Sequence, residues 1–183
     1  MTLPYIRRVA RPRPLGHHVE VIQQFDAGFT DLWERIAPKL DLAVRRDAPY
    51  LQWKYIAPPH VRYNVAGLFD EGKPLGYVVY RHMREARSRV TLLVDFLVDP
   101  DDAGAFETLL GWVDREAVAA DSDKIRCHSL HGGFRRILRR SGYFTRRSTL
   151  DFVVKINALP LSDSFYRDTD RWHITFGDAD LDR

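Results

Sequence analysis

The sequence holds a single cysteine, Cys127, in 183 residues. That excludes an intramolecular disulfide and a multi-cysteine zinc site, and it fits a reducing compartment such as the cytoplasm. No apolar run approaches the ~18 residues that a membrane span requires. The basic N-terminal stretch is not followed by the apolar core of a secretory signal. Lysine is scarce: 5 lysines stand beside 23 arginines, and the formal net charge is only +3. Acidic residues are spread throughout the chain, so charge alone lends little support to a nucleic-acid partner. No internal repeat or low-complexity segment is present. What remains is an ordinary globular balance, 45% hydrophobic and 29% charged, in a chain long enough to close one full core.

Residues 1–17 carry three prolines and read as an extended arm or linker; residues 18–183 read as one domain. His18–Phe25 partly alternates and predicts a strand. Phe29–Ile36 sets Phe29, Leu32, Trp33 and Ile36 at helical spacing, and Asp47–Tyr55 predicts a second, short helix capped by Asp47. Arg62–Phe69 and Leu75–His82 read as strands joined by the turn Asp70-Glu71-Gly72-Lys73. Val90–Val98 is almost wholly apolar, as a central strand buried on both faces requires. Ala105–Ala120 has the clearest helical stripe. Lys124–Leu130 predicts a strand, Gly133–Arg140 a helix stopped at Gly142, and Thr149–Ile156 a last long strand. This order predicts an α/β domain with a central mixed sheet flanked by helices. Its Val90–Leu130 unit is a parallel pair with a right-handed crossover.

The loop between Val98 and Ala105 poses a conflict. A strand, a turn with Gly104 and a helix form the layout in which backbone N–H groups attract a phosphate. The turn also carries Asp99, Asp101 and Asp102, which repel one. A second reading makes Asp101 or Asp102 the cap of the helix. Asp95 has two readings as well. A carboxylate within an apolar strand loses water and holds a proton more readily, which suits a base; it equally suits a buried group paired with backbone or an arginine. His128 and His131 flank Ser129 but lack the further ligands of a metal site. Asp178, Asp180 and Asp182 read as a solvated tail.

Two segments carry a family likeness. Val94-Asp95-Phe96-Leu97-Val98-Asp99-Pro100 resembles the fourth strand and cofactor loop of the GNAT superfamily, the general control non-repressible 5-related N-acetyltransferases. Leu138-Arg139-Arg140-Ser141-Gly142-Tyr143 resembles the helix end and glycine–aromatic step before that family's last strands. The likeness spans roughly residues 18 to 156. Arg46–Tyr55 and Trp172–Asp178 further resemble the second half of tandem GNAT-like bacterial proteins of uncharacterised activity.

The resemblance implies transfer of an acyl group from acetyl-CoA or another acyl-CoA to an amine. The pantetheine would pair with Phe96, Leu97 and Val98, and the pyrophosphate would sit at Gly104 and Ala105, near Arg135, Arg136 and Arg139. Asp95 is the candidate base, with Tyr143 and His131 as candidate acids. Tyr50, Trp53, Tyr55 and Tyr63 would line the acceptor cleft. The chain departs from the family's Q/R-x-x-G-x-G/A loop at Asp101 and Phe106. Leu138 stands where many relatives have a proton-donating tyrosine. A second class therefore stays open, an inactive domain that binds a second GNAT-like domain or a homodimer partner.

Overall fold

The strands pair as their apolar patterns demand. The computed structural model describes residues 17–146, 153–155, 157 and 162–179. Its main sheet has five strands in the order β1 (His17–Val21), β3 (Asn64–Asp70), β4 (Lys73–Glu85), β5 (Ser88–Val98) and β6 (Lys124–Cys127). Each pair is antiparallel except β5 with β6, which run parallel. Antiparallel neighbours need only tight turns, and the β3–β4 turn supplies one. Glu71 and Gly72 both take positive φ, 46° and 79°, the two-residue turn that matches strand twist.

Between these strands lie α1 (Ala27–Ile36), the two-residue β2 (Leu42–Ala43), α2 (Ala48–Leu51) and a π-helical turn, Gln52–Ile56. Then come α3 (Ala103–Ala119), α4 (Gly132–Arg140), α5 (Asp163–Arg167) and the two-residue β7 (Trp172–His173), which pairs in parallel with β2. Asp26 and Asp47 cap the starts of α1 and α2 through their carboxylates, each satisfying an otherwise unpaired helical N–H. Helix α1 buries Phe29, Leu32 and Ile36, and α3 buries Phe106, Leu109, Leu110 and Val113. Between the two helices, β5 is buried from Val90 to Val98. No helix among the described residues is long and apolar enough to cross a membrane.

Two departures from expectation matter for the site. The strand expected over Lys124–Leu130 stops at Cys127, the partner of Leu93. The reason lies in β5: β4 residues Val79 and Tyr80 face Asp95 and Leu93, so Val94 is an extra, bulged residue. A bulge bends its strand and ends pairing locally, and beyond it β5 and β6 part. The first strand also ends early, at Val21, while Ile22 and Phe25 turn into the core. Of the remaining expectations, the arm before His17 and most of Thr149–Ile156 lie outside the described residues.

Candidate functional site

The parted strands enclose a buried polar cluster built from distant parts of the chain. Asp95, 0% exposed, accepts from Tyr55 Oη at 2.9 Å, Tyr77 Oη at 3.3 Å, Thr175 Oγ1 at 2.9 Å and Arg46 Nε at 3.2 Å. The Arg46 guanidinium, also 0% exposed, donates through Nη2 to Asp178 at 2.6 Å and through Nη1 to the Val44 carbonyl at 2.9 Å. Asp178 closes the loop by accepting the Thr175 backbone N–H at 2.8 Å. One cation thus serves two carboxylates. Burial opposes the Arg46 charge, yet Asp95 and Asp178 together hold its guanidinium above its usual value. Burial also keeps Asp178 above the usual carboxylate range, against the pull of Arg46. The phenols of Tyr55 and Tyr77 are pushed well up, by burial first and by the Asp95 charge second.

On the opposite face of β5 the gap is closed by rings. Phe96 packs on Phe106, with centroids 4.5 Å apart, and on Phe134 at 5.1 Å. His173 joins them, 5.2 Å from Phe96 and 5.1 Å from Phe134. Its Nε2 lies 3.0 Å from the Phe96 carbonyl, and since that oxygen only accepts, Nε2 carries the proton. Burial, then the nearby Arg46 charge, pushes the His173 imidazole well below its ordinary value. Its Nδ1 is buried with no partner. The Leu130 N–H meets the Ile174 carbonyl at 3.3 Å. Residues 172–178 therefore run through the gap between β5 and the chain beyond β6.

The sequence-derived candidates separate into groups. Asp95 and Tyr55 share the cluster, and Tyr63 packs edge-on against Tyr55 at 5.2 Å. Tyr50 and Trp53 sit outside it, with Trp53 66% exposed. His131 precedes α4, half-buried, and burial lowers its imidazole. Tyr143 packs against the main core, beyond the end of α4. Phe96, Leu97 and Val98 are all fully buried. Gly104 and Ala105 lie in the first turn of α3, whose cap is Asp102 at 2.8 Å from the Ala105 N–H. Lys39 grips Asp99 and Asp101 at 2.7 and 3.0 Å. Arg135 is paired with Asp170, while Arg136 and Arg139 lie on the exposed side of α4.

Sequence reasoning missed Arg46, Thr175 and Asp178. Asp178 was expected in a solvated tail; its side chain is only 5% exposed, because Arg46 draws it inward. No local signal marked them: Arg46 sits beside Arg45 and Asp47, and Thr175 and Asp178 flank Phe176 and Gly177.

No protein-family model matches the chain, and no curated protein does. Solved structures do match. An aminoglycoside acetyltransferase from an uncultured soil metagenomic sample shares 11% identity at a TM-score of 0.54, covering 78% of this chain and 97% of its own. The ribosomal-protein-alanine N-acetyltransferase of Brucella melitensis biovar Abortus 2308 shares 15% at 0.55, covering 77% and 99%. An integron cassette protein from the mobile metagenome of V. cholerae shares 14% at 0.57, covering 79% and 95%. The chain has the fold of the GNAT acetyltransferases.

The residues at the implied cofactor position do not fit an acyl-CoA in this arrangement. The Phe96 carbonyl is taken by His173, the Phe106 ring is buried against Phe96, and the loop before α3 carries Asp99 and Asp101 with Lys39 between them. Carboxylates and a pyrophosphate ~4 Å apart repel by roughly 1 kcal/mol per charge pair in water, and by more in a drier cleft.

Proposed function

We propose that this chain is a GNAT-type N-acyltransferase, acting on an amine with an acyl-CoA donor, and that its groove is closed by its own C-terminal segment. The observation that carries the reading is the parting of β5 from β6 at the Val94 bulge, beside the start of α3. Beyond the parting, the Phe96 carbonyl of β5 is met by a side chain, His173, in place of a neighbouring strand, and such backbone is what an extended amide-bearing arm pairs with. Fold alone does not dictate chemistry, so the support is the fold together with this groove. Asp95 is held by four donors in the closed form, so the proton acceptor we assign is His131, half-buried, its ring 6.5 Å from that of His173 and its Nδ1 without a partner.

A second reading rests on the misfit itself. In it the groove is permanently filled, and the domain serves as a binding or structural partner of a second GNAT-like domain or of another copy. Calorimetric titration with acetyl-CoA, followed by thiol release in the presence of a panel of primary amines, separates the two. Saturable binding with amine-dependent thiol release supports the transferase. No binding at millimolar acetyl-CoA, with the fold intact, gives the second reading first place.

A further inference from the structure

Part of the misfit comes from one segment, and from it we infer that Trp172–Asp178 is an autoinhibitory strap, a part of this chain that must leave the gap between β5 and β6 before an acyl-CoA enters. The inference rests on the transferase reading and concerns how that site is regulated. Three features mark the segment as a docked strap and not ordinary core.

Its backbone is thinly attached. Among the described residues, strand β7 contributes only Trp172 and His173, paired with the equally short β2, and one further N–H, that of Leu130, reaches Ile174. Its side-chain anchors are mostly polar. His173, Thr175 and Asp178 make the contacts to β5 and Arg46, and the apolar share comes mainly from Phe176. Those anchors are also imperfect. His173 Nδ1 is buried and unpaired, and two carboxylates share the one buried guanidinium. A buried unpaired nitrogen and an excess buried charge both weaken the docked state relative to a solvated one. A strap so held sits nearer to release than the apolar strands around it.

The strap occupies what an acyl-CoA needs. His173 takes the Phe96 carbonyl, and its ring packs on Phe96 and Phe134. Its removal frees that carbonyl and opens space against the Phe96 and Phe134 rings. Apparent affinity for a ligand of the open form falls in proportion to the open fraction, so weakening the anchors should raise affinity without new contacts.

Native-state hydrogen exchange at low urea tests the wild-type protein. The strap amides, 172–178, should exchange through a local opening at least ten times faster than those of Leu92 and Leu93, and this rate should be insensitive to urea. Strap amides that exchange only with global unfolding overturn the inference. The variant His173→Ala/Asp178→Ala should then bind acetyl-CoA at least tenfold more tightly than wild type. If that pair does not fold, His173→Ala alone, which keeps the Arg46–Asp178 pair, carries the same comparison. Wild type that binds acetyl-CoA with the strap amides still protected overturns the strap and leaves the transferase reading standing. A variant with a freely exchanging strap that still binds no acetyl-CoA removes the transferase reading, and the inference with it.

Discussion

Replacing Arg46 should be the most damaging single change to the site, and the structure says why. Its guanidinium is fully buried between Asp95 and Asp178, so Arg46→Met keeps much of the stem's volume while leaving two carboxylates buried without a cation. Removing one partner of a buried ion pair costs about 3–5 kcal/mol. Asp178→Asn leaves Arg46 paired with Asp95, retains an oxygen for the Thr175 N–H, and removes the excess negative charge. Its cost should be nearer the about 1–3 kcal/mol of a buried hydrogen bond. At a urea dependence of about 2 kcal/mol per molar, a 4 kcal/mol loss lowers the unfolding midpoint by about 2 M. That is a large share of the roughly 5–15 kcal/mol that holds a domain together. Urea titrations at pH 7 followed by circular dichroism measure both variants. Equal midpoints for Arg46→Met and Asp178→Asn refute the account of one cation serving two anions.

Acid should weaken the fold through its buried histidines. Burial holds His173, His128 and His131 below their ordinary value, so as pH falls below about 6.5 the unfolded chain takes up protons that the folded chain refuses. The stabilisation is complete above about 6.5 and is lost as pH falls toward the folded values, with a slope of up to ~1.4 kcal/mol per pH unit for each histidine. His173→Asn should remove one such proton from the slope measured between pH 7 and 5.5; an unchanged slope counts against a neutral, buried His173. Gly177 stands where a Cβ would lie 2.2 Å from Tyr55 Oη and 3.2 Å from Asp95 Cβ. Gly177→Ala should lower the melting temperature clearly, and adding Tyr55→Phe should recover part of the loss; a drop that Tyr55→Phe only deepens rejects this contact as the cause. Phe106→Ala should cost about 3–5 kcal/mol in urea unfolding, since its ring is fully buried. A loss under about 1 kcal/mol means that Phe106 is not packed on Phe96 and Phe134 as described.

Much of the fold was legible because local chemistry decided it. The apolar run Val90–Val98 sits between two layers of helices, and the Asp70–Lys73 turn forms where Glu71 and Gly72 permit it. The loop conflict resolved as the cap reading allowed: Asp102 caps α3, and Asp101 binds Lys39. The site was harder to read. The Val94 bulge has no sequence mark, because an extra residue in an apolar strand looks like any other. Arg46 and Asp178 are 132 positions apart, and nothing local distinguishes a buried arginine from a solvated one. An acidic tail equally reads as solvated until a cation is found opposite it. His173 was overlooked for the same reason, since its partner is a backbone carbonyl and not a side chain.

The most direct test of the central claim, that the chain's own C-terminal segment fills the gap between β5 and β6, is the nitrogen-15 spectrum of the His173 ring. Seated on the Phe96 carbonyl, the ring should be neutral at pH 7 and protonated only at Nε2, with Nδ1 bare. It should resist protonation well below the ordinary histidine range, since burial disfavours the cation. A ring that averages between tautomers and titrates near 6.5 like a free imidazole would contradict the account, because it would place His173 in water and leave the gap open.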